Sequence, residues 1–407
     1  MNHLHVWLTL SGGETVHLGE LVFGPPRADG TAPTAFRYAP TWLARADAFA
    51  LNPDPQSLPL DGREFQASHL GPPLQVIDDA LPDDWGRRLI IAEQKLPMAR
   101  QTPYEIMLAV AGNGLGALSF SERKQAPSRP DDQFDLAELM QAAADFEAGH
   151  PLEDARLHRL CAAGGSPGGA RPKARIAWQG QSWIAKFPSL ARDNGHDVVG
   201  LEAACLTLAA QAGLMVPAIH LADLGSRRVL LVRRFDIAPN RDQSGRHHMI
   251  TLKTLCREGA GRYALSYDAP AEAIRKYSDD PDDIERFFRQ MAFNAAIGNT
   301  DDHLKNFLLL RDERGWRLSP AFDLVPDIGR NREHTLAIGY SHETPSRDDL
   351  VAVGQRWLGN ASQARRIVQE VVDVVNTFGA TAEQLAVTPA SIAFFAGDIA
   401  RRIKRMA

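Results

Sequence analysis

The sequence predicts a mixed α/β (α+β) protein in two parts, 1–150 and 151–407, and three observations carry that expectation. Strand-like segments joined by a glycine turn open the chain. A second strand–turn–strand unit lies between 174 and 187. Apolar stripes at helical spacing recur further on, at 201–212 and 284–295. The 407 residues can build a large core in two or three domains, and 44% hydrophobic with 23% charged residues are the proportions of an ordinary folded soluble protein. A net charge of −5 argues against nonspecific gripping of nucleic acid, and the nearest basic run, "RRIKRM" near the C-terminus, reads as a solvated helix end. "MNHLHVWLTLSGG" has neither a basic leader nor a long apolar segment, so the expectation is a cytoplasmic protein without membrane contact. Cys161, Cys205 and Cys256 are odd in number and far apart, which suggests neither a disulfide framework nor a zinc site; Cys205 reads as a small buried hydrophobe.

In the first part, "LHVWLTL", "GGET" and "VHLGELVF" read as strand, turn and strand. "AFRYAPTWL" and "PQSLPL" continue a β-rich, proline-containing module, and "PDDWGRRLIIAEQKL" starts a helix with acidic residues in its first turn. "KQAPSRPDDQ", residues 124–133, reads as a linker. A helix follows, with Leu136, Leu139, Met140, Ala143 and Phe146 on one face.

The second part opens on "AAGGSPGGARPKARIAW". Gly164, Gly165, Gly168 and Gly169 allow a backbone tight enough to turn several N–H groups toward an anion, around Ser166. No Gly-Lys-Ser/Thr closes the loop and the spacing is not that of a dinucleotide fingerprint, so a plain flexible hairpin stays open as the alternative. "ARIAW", "QGQ" and "SWIAKFP" form an antiparallel pair carrying Lys186 within an apolar run, costly to bury unless an anion meets it. Sixteen residues later Glu202 starts a helix on which Leu201, Cys205, Leu208 and Ala212 make the apolar stripe. Glycine loop, strand lysine and helix glutamate stand in the order protein kinases use around ATP phosphates. Taken singly, Glu202 reads equally as a solvated acid at a helix start. "RRVLLVRRFD" supplies a strand, Val229–Val232, and a charged connection; in a kinase-like arrangement Val232, Arg233 and Phe235 fall at the hinge against adenine, an assignment by position alone, since any edge strand reads the same.

Charge is densest in "NTDDHLKNFLLLRDERGWRLSPAFDL", residues 299–324. The helix before it is marked by Ile284, Phe287, Phe288, Met291, Ala292 and Ala295, and Gly298 ends it. Asp301 and Asn306 keep the Asp-x-x-x-x-Asn interval of a kinase catalytic loop, and a hairpin separates them from Asp323. Phosphoryl transfer needs a carboxylate to take the attacking hydroxyl's proton and hard oxygen ligands for magnesium, which makes crowded acids expected there. Asp302 reads as a solvated neighbour and His303 as a hydrogen-bonded loop anchor. Lys305 stands open between meeting the phosphate and balancing the acids.

"GNTDDHLKNFLLL" with "LSPAFDL" resembles the core of the HipA family, bacterial serine/threonine kinases of type II toxin–antitoxin systems. The resemblance runs along nearly the whole chain: "FRYAPTWL", "LPDDWGRRLI" and "MLAVAGNGLGAL" are similar to its N-terminal module, and "GGSPGGARPK", "WIAKFP", "LEAACLTLAAQAGLMVP" and "VRRFD" to a protein-kinase-like bilobal core. It implies that Asp301 is the catalytic base, Asn306 and Asp323 the magnesium ligands, and Lys186 the lysine on the ATP phosphates. It also implies that Ser166 is a loop serine open to autophosphorylation, which inactivates the enzyme. Where the family usually has Glu-Arg-Phe-Asp, this chain has Arg233 before Arg234, so the hinge contacts depart from the pattern. The resemblance further implies a protein substrate, for which aminoacyl-tRNA synthetases are the family precedent, and a helix-turn-helix antitoxin that alone contacts DNA. The expected function is transfer of the ATP γ-phosphoryl group to a serine or threonine. The alternatives are a catalytically silent corepressor bound to the antitoxin, or a magnesium-dependent phosphohydrolase, which has no need of Lys186 and Glu202.

Overall fold

The computed structural model describes the chain except residues 1, 26, 28–30, 129–132, 165–168, 226, 240–243, 258–265 and 330. It has mixed α/β architecture, as the alternation of strand and helix signals predicts. Two compact units share the chain: Met1–Ile184 with Arg234–Arg262 and Leu308–Trp316, and Ala185–Arg233 with Tyr263–Phe307 and Arg317–Ala407.

The first unit contains an antiparallel sheet of β1 (Asn2–Thr9), β2 (Thr15–Phe23), β3 (Pro33–Tyr38), β4 (Phe65–Ser68) and β5 (Leu118–Ser121), in the order β4-β3-β2-β1-β5. Because side chains alternate across a strand, Leu4, Val6 and Leu8 share one face of β1 and are fully buried. One extra residue on β2 breaks the β1–β2 register between Val6 and Trp7: Val6 pairs with Gly19, but Trp7 pairs with His17. Gly19 is obligatory there, since a Cβ would lie 2.4 Å from the Arg37 carbonyl oxygen. The expected helices form at Asp84–Glu93 and Leu136–Glu147, the latter capped by Asp135, whose carboxylate accepts from the Glu138 N–H. In "VRRFD", Arg234 and Asp236 make a buried two-armed ion pair (3.0 and 2.6 Å), and Asp236 also accepts from the Gly116 N–H. Burial alone would raise the Asp236 pKa, but the Arg234 guanidinium and the N–H hold it well below the usual carboxylate range.

β6 (Lys173–Trp178) and β7 (Gln181–Lys186) are the expected hairpin strands, and the chain leaves the first unit within β7. In the second unit, β8 (Ile219–Leu224) pairs antiparallel with β9 (Arg227–Arg233). The helix Asp283–Ile297 is its apolar centre: Phe287, Phe288, Met291, Ala292 and Ala295 have no exposed surface. Helices Arg347–Leu358, Ala361–Val375 and Pro389–Met406 pack around it. Gly298 ends the central helix at φ 73°, and a Cβ there would lie 2.8 Å from Arg402 Nε. Arg402 departs from the solvated C-terminal end read from "RRIKRM": it is buried, held by Asp398, Thr344 and the Asn331 carbonyl. Cys205 is fully buried, and all three cysteines are free. No helix among the described residues is long and apolar enough to cross a membrane.

Candidate active site

Lys186, Glu202, Asp301, Asn306 and Asp323 all fall in the second unit. Strand alternation explains how β7 presents its lysine: Trp183, Ala185 and Phe187 are buried on one face, and Lys186 projects from the other. There Lys186 Nζ donates to Glu202 Oε1 at 2.5 Å and to Asp323 Oδ1 at 2.7 Å. The helix that carries Glu202, Val198–Gln211, starts at Asp197, whose carboxylate accepts from the Gly200 N–H. Glu202 is therefore not a solvated helix-start acid; its side chain is 7% exposed and that of Lys186 17%. Burial pulls the Lys186 pKa down, but the charges of Asp323 and Glu202 outweigh it and hold it above the ordinary lysine value.

Asp323 stands at φ 56°, a left-handed conformation that is unfavourable for a residue with a Cβ. Its carbonyl oxygen accepts from Asn299 Nδ2 (3.4 Å), and the same amide group donates to Asn294 Oδ1 (3.2 Å) on the central helix. Asn299 thus ties the backbone of Asp323 to the helix end. Sequence reading assigned it no role, although it opens the charged stretch.

Between Asp301 and Asn306 the chain makes one tight turn, Leu304–Asn306, anchored by buried Leu304 and Phe307. Asn306 Nδ2 donates to the Asp301 main-chain carbonyl (3.0 Å), and the Asn306 N–H to that of His303 (2.9 Å). This leaves the amide oxygen of Asn306, the hard ligand atom, on the other arm of the side chain. The Asp301 carboxylate is 76% exposed, and His303 Nε2 lies 3.7 Å from it. Desolvation raises the Asp301 pKa, His303 opposes, and Asp323, Asp302 and Asp327 raise it further. At such exposure the neighbouring carboxylates are the firmer cause.

Asp302 corrects the expectation of a solvated neighbour. It is 1% exposed and accepts from Tyr267 Oη (2.7 Å), His334 Nδ1 (3.0 Å) and the Thr335 N–H (2.8 Å). Burial, then the charge of Asp302, lifts the Tyr267 pKa far above its usual value. Adjacent residues of the loop therefore do opposite things: Asp302 fastens it from within while Asp301 faces water. Asp302→Ala, leaving the buried Tyr267 hydroxyl and His334 ring without this acceptor, is expected to cost on the order of 2–3 kcal/mol, read as a lowered urea midpoint, whereas Asp302→Asn keeps one acceptor and costs less. An unchanged midpoint in Asp302→Ala would refute the fastening role.

The remaining expected positions divide by unit. Val232 is buried and Arg233 exposed, in the second unit; Phe235 is half-buried in the first. The Arg233 N–H donates to the Ala218 carbonyl and the Arg234 N–H to that of Ser182, so those two amides are engaged within their own units. Lys305 is half-buried beside Asn306. Ser166 and Gly168 lie outside the described residues; Gly169, in the first unit, has φ 75° and donates its N–H to Asp83.

Residues 165–378 match the HipA-like C-terminal domain family, and residues 15–121 the HipA N-terminal domain family. The chain is 26% identical over 320 residues to Y4mE of Sinorhizobium fredii (strain NBRC 101917 / NGR234), covering 72% of each protein. It is 29% identical over 195 residues to Y4dM of the same strain, covering 42% of this chain and 45% of that one. Both relatives carry provisional kinase names. In fold it is similar to HipA of Shewanella oneidensis MR-1, solved with HipB and operator DNA, at a TM-score of 0.70 and 17% identity over 99% of this chain and 96% of that one.

Proposed function

Since the chain belongs to the HipA family, we propose that it is an ATP-dependent serine/threonine protein kinase, the toxin of a toxin–antitoxin pair. The single observation that carries the reading is Lys186 held between Glu202 and Asp323 within the unit that also bears Asp301 and Asn306. A lysine fixed by a helix carboxylate is positioned to hold ATP phosphates, and two separate carboxylates share it without burying its charge unmatched. Asp301, with its exposed carboxylate, takes the proton from the attacking hydroxyl oxygen as that oxygen bonds to the γ-phosphorus and the bond to the ADP oxygen breaks. Asn306 and Asp323 offer an amide and a carboxylate oxygen, the donor set of a magnesium site. Magnesium, when bound there, supplies positive charge that offsets the triphosphate. Lys305, next in the chain to Asn306, meets the transferring phosphate, and Gly168, Gly169, Val232, Arg233 and Phe235 complete the nucleotide-binding positions by resemblance. The strained backbone of Asp323 fits this reading, because such conformations persist where a fixed ligand direction is needed.

The protein substrate, of which an aminoacyl-tRNA synthetase is one candidate, carries the acceptor serine or threonine. Similarity to a HipA solved with HipB and operator DNA supports a helix-turn-helix antitoxin as partner, with DNA contacted only through it. That same similarity favours the second reading, a silent corepressor, in which the antitoxin is bound and no phosphate is moved. Ser166 is proposed as the self-inhibiting site: a phosphate there adds roughly −1.5 to −2 charges beside the glycines and repels the nucleotide.

Incubation with magnesium and γ-labelled ATP distinguishes the readings. Label is expected on protein, with phosphate on Ser166 by mass spectrometry. Free phosphate alone would indicate a phosphohydrolase, and intact ATP with retained antitoxin binding a silent module. An unmodified Ser166 in an otherwise active enzyme would remove the switch and leave the kinase standing.

A further inference from the structure

We propose a metal site on the β1–β2 hairpin, where His3, His5 and Glu20 bind a divalent transition metal of the zinc class and His17 is poised to complete the set. Among the described residues this is the one cluster in which three His, Cys, Asp or Glu side chains bring ligand atoms within 4.8 Å of one another. His3 Nε2 lies 3.5 Å from one Glu20 carboxylate oxygen and His5 Nδ1 3.6 Å from the other. His17 Nε2 lies 3.1 Å from His5 Nδ1. Ligand atoms around a tetrahedral zinc, at about 2.0–2.1 Å from the metal, sit about 3.3 Å apart, so these edges need little adjustment to receive one.

The backbone explains why the four converge. His3 and His5, two apart on β1, share a face, and Glu20 is the register partner of His5 on β2. His17 and Glu20 are three residues apart and would point to opposite faces of a regular strand. The extra residue at the β1–β2 irregularity reverses that: it brings His17 opposite Trp7, on the same face as Glu20. The other face holds buried Leu4, Val6 and Leu8, so the sheet keeps its core while gathering three imidazoles and a carboxylate on one side. The nitrogen and oxygen donors suit zinc-class metals over magnesium or calcium, which prefer oxygen alone. Lys124 is near enough for its charge to be felt at His5 and His17, where it opposes a cation, so binding weaker than that of a buried structural zinc is expected. The site lies in the first unit and shares no residue with the proposed phosphoryl-transfer set, so neither reading depends on the other.

The test uses the untagged full chain, stripped with a chelator and titrated with Co(II) in excess magnesium, which occupies all-oxygen sites. One equivalent of Co(II) with the visible bands of a nitrogen-rich tetrahedral complex, displaced by Zn(II), is expected. His3→Ala and Glu20→Gln are each expected to weaken binding about tenfold or more and together to abolish it. These side chains are 39% and 47% exposed, so the variants should keep the metal-free melting temperature. His17→Ala should weaken binding while retaining it. No Co(II) uptake in the wild type, or uptake unchanged in the double variant, overturns the proposal.

Discussion

Asp301→Asn is expected to lower phosphoryl transfer by about 10²–10⁴-fold while leaving ATP binding intact. The amide has nearly the carboxylate's shape and cannot accept the hydroxyl proton. The local fold should survive, because Asn306 is bonded to the main-chain carbonyl of Asp301 rather than to its side chain. The side chain is 76% exposed, so no buried partner is orphaned. Label transfer from γ-labelled ATP should fall into the background, while the ATP-induced rise in melting temperature and the urea midpoint stay at wild-type values. Wild-type transfer in this variant would remove Asp301 from the chemistry.

Lys186→Ala is the second large effect, and the structure makes it double. Loss of the ammonium leaves Glu202 and Asp323 facing each other without the lysine they share. Breaking a fully buried pair costs about 3–5 kcal/mol, and because Asp323 is 35% exposed the expected cost here is nearer 2–3 kcal/mol. ATP stabilisation, about 2.7 kcal/mol at a hundred times Kd, should vanish as well. The two effects can be separated: Lys186→Ala with Glu202→Gln removes one of the two facing carboxylate charges and should recover most of the stability without recovering the response to ATP. If the double variant regains the ATP-induced melting shift, Lys186 serves only the fold.

Much of this was legible in the sequence where the signal is local. Helix periodicity located Asp283–Ile297, the glycine marked its end, and the turns "QGQ" and "RDERG" marked the hairpins that form as β6–β7 and β11 (Leu308–Asp312) with β12 (Gly315–Leu318). Membership of a HipA-type fold was legible because its motifs are long and specific. What escaped was set by distant residues. Asp302 looks like Asp301 in sequence, and only Tyr267, His334 and Thr335, each about 32–35 positions away, decide that it is buried. Likewise Arg402 sits in a basic run that reads as solvated, yet the end of the central helix and the Asn331 carbonyl enclose it. The hairpin histidines were missed for a different reason: spacing alone puts His17 and Glu20 on opposite faces, and a register irregularity is invisible to a period-two reading.

The division of the chain between its units has a consequence for how the protein is made. The chain crosses from one unit to the other at 184, 233, 262, 307 and 316, and β10 (His248–Thr251) pairs with β11 inside the first unit. On the ribosome, then, the N-terminal unit cannot close its last sheet until residue 316 has emerged, long after its leading hairpin is available. Most of the polypeptide must be synthesised before either unit has its full complement of partners. β10 therefore waits for its partner strand until β11 has been made, an interval in which a cotranslational chaperone can shield it.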